Sequence, residues 1–301
     1  MILEHSSADT PVVQHQIPCR ICAQVGLNSV LLRDAEAESG ESTWPIDLAW
    51  CPTCSLVQWT ETIIGAPTTQ SVSVGRIEKS TGRSLGERLC EWRKLGPDSL
   101  VIELDHRHRE LAAACEQAGV PMLSIDLTRC PSHGAEIKPA DRPIHEIFGP
   151  DLALHLVHEN QRADVIHAGQ TFSYVEDLNG VVSGFATVLK PEGIVVVEVP
   201  YLKDLADHVG FNTLDRSELC YFSLTSMTQL FGQHGLEIVD VEHLKTQGGV
   251  LRIIAARSGT MSVSPAVHHL MDDESAWVRD PSFYQSFGDT LAPLSDDRWA
   301  A

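Results

Sequence analysis

From Asp98 to about Arg257 the chain alternates short apolar runs with amphipathic stretches, and no other feature limits its fold so tightly. SLVIEL reads as a buried strand, RELAAACEQAG as a helix closed by Gly119, and PMLSID as a second strand ending on Asp126. IHEIFGPDLALHLVHEN has helical spacing ahead of the strand ADVIHAG, and the helix VEDLNGVVSGFATVLK precedes GIVVVEV. SMTQLFGQHG reads as one more helix, with LEIVDVEHL and GVLRIIAAR as a closing pair of strands. Alternation of this kind predicts an α/β protein built on a doubly wound, mostly parallel sheet. The final pair fits an antiparallel edge. Ligands of such sheets sit beyond the carboxyl ends of the strands, where the strand order reverses. Asp105, Asp126 and the loop from Gly169 to Tyr174, with Gln170, occupy such ends.

The first of these junctions is unusual. In VIELDHRHRE a strand runs straight into a helix, where a Gly-rich loop usually cradles a nucleotide. Here Asp105, His106, Arg107, His108 and Arg109 fill the junction and no glycine is present.

Ahead of this domain stand two CxxC pairs, Cys19/Cys22 in PCRIC and Cys51/Cys54 in WCPTC. Each pair can turn two thiolates toward one tetrahedral ion, so four cysteines complete a closed, structural zinc site. A redox CxxC is the competing reading. A region this small buries little apolar surface, so the metal would supply its folding energy. The other four of the eight cysteines (Cys90, Cys115, Cys130, Cys220) read as small buried hydrophobes. The organisation predicted is a zinc module over 1–62, a linker and helix over 63–97, the α/β domain over 98–257, and a short acidic tail of one or two helices over 258–301.

The formal charge of −19, from 41 acidic against 22 basic residues, repels polyphosphate and argues against nucleic acid as a partner. No apolar run is long enough to cross a membrane, and the N-terminus lacks the pattern of a secretory signal. A cytoplasmic protein is expected.

The order of a two-CxxC module, an alternating domain and the phrase VEVPYL resembles the zinc-containing, S-adenosylmethionine (SAM)-dependent C-methyltransferases that modify deoxysugars. The resemblance spans roughly residues 17–257 and is carried by CRIC, CPTCSLVQW, GIVVVEVPYLKDL, CYFSLTSMTQLFGQHGLEIVDVE and TQGGVLR. It implies a class I methyltransferase-like fold behind the zinc module. It also implies a cofactor site at Glu103, Asp105, Asp126 and Gln170, with Asp126 gripping the ribose. Active relatives carry a loop close to EIGSNDG after the first strand. Here Glu103 survives and the glycines are gone. Active relatives carry a motif resembling YHEH, whose histidine and glutamate take the proton from the carbon being methylated; the corresponding residues here are Asp215, Arg216, Ser217 and Glu218. A pair of linker tyrosines is also missing, and the motif resembling THGGS has become TQGGV, with Gln247 in the place of histidine. Relatives continue into a third, C-terminal domain, whereas this sequence stops about where its leading helix would begin.

Two objections to SAM follow. Side chains replace positions where backbone must come close to the cofactor. Arg107 and Arg109 also place positive charge near a sulfonium, which at ~6 Å and an effective dielectric of about 20 costs roughly 2–3 kcal/mol. One reading is therefore a re-purposed enzyme of natural-product biosynthesis, acting on an anionic intermediate by isomerisation, elimination or cyclisation. Its catalytic candidates are His106, His108, Asp215, Glu218 and Tyr221, and its substrate-binding candidates Arg107, Arg109, Tyr201 and Arg216. Arginine suits carboxylate or phosphate, and histidine beside carboxylate suits proton transfer. A second reading is a non-catalytic partner that oligomerises with itself or with another biosynthetic enzyme and so covers an exposed apolar face. A third keeps SAM in a rebuilt loop.

Overall fold

The computed structural model describes residues 17–33, 46–60, 83–104, 109–125, 148–208, 218–245 and 249–292. Two sheets organise them. The larger has six strands: β4 (Val101–Glu103), β5 (Met122–Ser124), β6 (Ala163–Ala168), β7 (Leu189–Pro200), β9 (Leu236–Leu244) and β10 (Val250–Arg257), in the order β5-β4-β6-β7-β10-β9. β4 pairs parallel with both β5 and β6, and β6 parallel with β7. β10 runs antiparallel to both β7 and β9. The expected parallel sheet with an antiparallel edge is therefore present. The chain leaves β4 toward β5 and later returns to β6 on its other side, so the order reverses between β4 and β6.

Helices cover both faces, which is why these strands read as nearly continuous apolar runs. On one face Val101, Val165, Ile194, Val196, Ile254 and Ala256 pack with Leu89 of α1 (Leu85–Arg93) and with Leu111 and Cys115 of α2 (Arg109–Ala118). On the other, Ile102, Ile166, Val195, Val197 and Ile253 join the larger core. Helices α3 (Pro150–His158), α4 (Leu178–Val188) and α6 (Leu224–Gly232) feed that core through Leu152, Phe185 and Phe231. The helix anticipated from Ile144 differs at its start. Phe148 is not helical, Gly149 is the extended N-cap, and Pro150 opens α3 at a position where its missing N–H is not needed.

The smaller sheet has the order β1-β2-β3-β8, from β1 (Asn28–Arg33), β2 (Ile46–Trp50), β3 (Val57–Trp59) and β8 (Cys220–Tyr221), all antiparallel. Its fourth strand comes from the distant α/β region, so this sheet is completed from outside the cysteine module. A short helix, α5 (Leu202–Asp207), follows β7. The acidic tail forms α7 (Pro265–Ser275) and α8 (Pro281–Leu291). It is packed rather than loose: Tyr284 is fully buried and stacks on Trp50 with ring centroids 4.2 Å apart. Gly288 lies so close to β1 that a Cβ there would come within 1.9 Å of the Val30 carbonyl oxygen.

Candidate functional site

The two CxxC pairs sit in turns of the same build. Ala23 N–H donates to the Cys19 carbonyl and Cys19 N–H to that of Gln24; Ser55 N–H donates to Cys51 and Cys51 N–H to Leu56. Ala23 and Ser55 take positive φ (57° and 65°) to close these turns. The four sulfurs lie within 4.8 Å of one another, with Cys19–Cys54 at 3.3 Å and Cys22–Cys51 at 3.5 Å. The contact with Cys19 pulls the Cys51 thiol well down, and the same contact pushes Cys19 up. Four thiols crowded in this way form a donor set that a tetrahedral cation fits. Asn179 of α4 ties the first turn to the main domain, donating to the carbonyls of Arg20 (2.8 Å) and Ile21 (3.0 Å).

The second region is the carboxyl edge of the large sheet. At the reversal between β4 and β6, Glu103 and His167 face each other in register, both buried, with Oε1 and Nδ1 3.9 Å apart. Gly169 and a 3-10 turn (Gln170–Tyr174) follow β6. Leu219 N–H donates to the Ser173 carbonyl at 2.8 Å, which brings half-buried Glu218 beside that turn. Tyr221 lies in β8 and is fully buried. Only the backbone of Arg109, which opens α2, and of Gln170 is described. Asp105, His106, Arg107, His108, Asp126, Asp215, Arg216 and Gln247 lie outside the described residues.

Further along the same edge, Tyr201 follows β7 and is held from two sides. Its N–H donates to the Gly249 carbonyl, and it bridges Phe222 beyond β8. Its side chain is buried, with its ring set edge-on to His243 at a centroid distance of 5.1 Å. His243, near the end of β9, bonds through Nε2 to Oδ2 of Asp204 on α5 at 2.6 Å. Burial, followed by the charge of Glu274, pushes the Tyr201 hydroxyl up. Glu274 of α7 accepts from the amides of Leu224 (2.6 Å) and Thr225 (2.8 Å), capping α6 from a neighbouring helix. Burial raises its carboxyl above the ordinary range even against these donors.

On the opposite face of the same strand ends, a chain of charge crosses three strands. Arg252 bonds Glu198 through Nε at 2.7 Å and Glu242 through Nη1 at 2.6 Å, and Glu242 also pairs with Arg88 of α1. Burial alone would raise Glu242, but the guanidiniums of Arg88 and Arg252 hold it below its ordinary value.

The structure thus gathers Glu103, Glu218 and Tyr201 from the sequence candidates along one sheet edge and adds His167, Asp204 and His243 to them. The phrase YLKDL carried a usable signal for Asp204, an acid one helical turn after the candidate tyrosine. His243 had only its place at a strand end to mark it.

Residues 84–241, over half of the chain, match the family described as methyltransferase domain, and the chain belongs to that family. The C-methyltransferase NovU of Streptomyces niveus is 27% identical over 292 residues, covering 89% of this chain and 68% of NovU. Among solved structures, an S-adenosylmethionine-dependent methyltransferase of Clostridium acetobutylicum superposes with a TM-score of 0.42 at 13% identity, covering 57% of this chain and 89% of that one. The 1,6-didemethyltoxoflavin-N1-methyltransferase of Burkholderia thailandensis gives 0.38 at 13% identity, covering 57% and 76%.

Proposed function

We propose that this chain is a methyltransferase-family enzyme of natural-product biosynthesis whose sheet edge has been turned to proton-transfer chemistry. In this reading it acts on an anionic intermediate by isomerisation, elimination or ring closure, in place of SAM-dependent sugar C-methylation. The observation that carries it is the β4–α2 connection at the strand reversal. Leu104 is buried, and residues 104–118 contain no glycine, the residue that most readily lets backbone come close to a nucleoside cofactor. The donor set of that connection is instead Asp105 with two histidines and two arginines. It is suited to an anion rather than to a sulfonium. Bulk and positive charge at these positions both argue against SAM there.

A second reading, a C-methyltransferase with a rebuilt loop, is favoured by the likeness to NovU over 89% of the chain and by Glu103 at the end of β4. Titration calorimetry with SAM and with S-adenosylhomocysteine separates the two. No heat at millimolar ligand is expected; micromolar binding of either would retire the first reading in favour of the second.

The four-cysteine cluster is read as a structural zinc site. Cys19, Cys22, Cys51 and Cys54 would hold the ion, and with four thiolates no position is left for substrate.

A further inference from the structure

The reading above requires a base, and of the sequence candidates for that role His106, His108 and Asp215 lie outside the described residues. We propose that His243 is the proton-transferring group of this chain, with Asp204 and Tyr201 as its positioning residues. The inference deepens the reading above and rests on it.

Four observations converge. His243 lies on β9 one residue before its end, at the carboxyl edge where the ligands of doubly wound sheets bind. Its side chain is 32% exposed, enough to meet a ligand, while Asp204 is 16% exposed and so partly shielded from water. A carboxylate only accepts hydrogen bonds. Asp204 therefore fixes the imidazole proton on Nε2 and leaves the Nδ1 lone pair for a substrate proton. The placement of Asp204 is also built in. Gly249 has φ +92°, and a Cβ there would lie 2.0 Å from Asp204 Oδ2, so the carboxylate occupies the space that a side chain would fill. Tyr201, edge-on at 5.1 Å, walls the ring on one side.

The step balances without an oxidant. Nδ1 takes the proton from a carbon next to a carbonyl, and the C–H electron pair moves into the carbonyl to give an enolate. The resulting imidazolium is neutralised by Asp204. Return of the proton to the neighbouring atom completes an isomerisation; departure of a β-substituent completes an elimination.

The test uses a probe that needs only a base. 5-Nitrobenzisoxazole loses its C3 proton, its ring N–O bond breaks, and a coloured phenolate is released. The zinc-loaded full-length protein is expected to accelerate this above an equal concentration of free imidazole. His243→Gln should lower the rate at least about tenfold and Asp204→Asn about tenfold, because asparagine can donate and release the other tautomer, while Asp204→Glu restores part of the rate. Circular dichroism checks that each variant folds. Gly249→Ala, which displaces Asp204 without changing it, should lower the rate as well. A wild-type rate no higher than that of imidazole, or an unchanged rate in His243→Gln, would overturn the proposal. SAM binding in the calorimeter bears on the reading above and leaves this rate measurement standing.

Discussion

Glu242 shows how one side chain records the electrostatics of its surroundings. Its native pKa is depressed by Arg88 and Arg252, so its contribution to stability is fully present above the unfolded value of about 4.3 and is lost as pH falls through the lower native value. Glu242→Gln should therefore lower the melting temperature near neutrality, converge with the wild type in acid and so flatten the acid limb of a plot of melting temperature against pH; an unaltered acid limb would refute the assignment. At this scale the sequence was legible where residue type and spacing coincide. The four cysteines met as expected, and Glu103 stands at the strand end assigned to it. His167 and His243 stayed hidden because each sits inside a strand whose pattern, VIHAG or VEHLK, can be read only as apolar alternation. Their meaning comes from partners on other strands and helices, Glu103 and Asp204, which lie far away in sequence.

The helices and strands of the α/β region were read well because their period is set locally. The elements missed are those whose stability is borrowed. β8 has two residues and exists because β3 offers it an edge; α5 is six residues long and is held by Tyr201 and Gly249. Helix α8 was legible as a helix but not as a packed one, since nothing in SFYQSFGDTL announces Trp50 as its partner. Its Gly288 makes a sharp test. In an isolated helix, alanine would stabilise by about 1 kcal/mol. Here Gly288→Ala must push α8 off the Val30 carbonyl, so thermal stability is expected to fall and the fluorescence of Trp50 to change. A stabilised variant would show that the contact is loose.

At the scale of the whole molecule, the two sheets are joined through β8, Asn179 and the Trp50–Tyr284 stack, so the cysteine turns and the sheet edge belong to one packed body. Chelation of the proposed zinc is thus expected to do more than loosen the first residues. Because the ion would stand in for core the module lacks, stripping it should lower the melting temperature of the whole chain and perturb Trp50. A melting temperature indifferent to chelator would rule out a structural ion. Among the described residues no helix is long and apolar enough to cross a membrane.

The borrowed strand also sets an order of events during synthesis. Cys19 to Cys54 leave the ribosome early, yet the edge of β3 stays unpaired until residues 220–221 have been made, and Trp50 has no stacking partner until Tyr284 follows. From the emergence of β3 until residues 220–221 follow, the nascent chain therefore carries an open sheet edge, a template for mispairing until its own later residues arrive to close it.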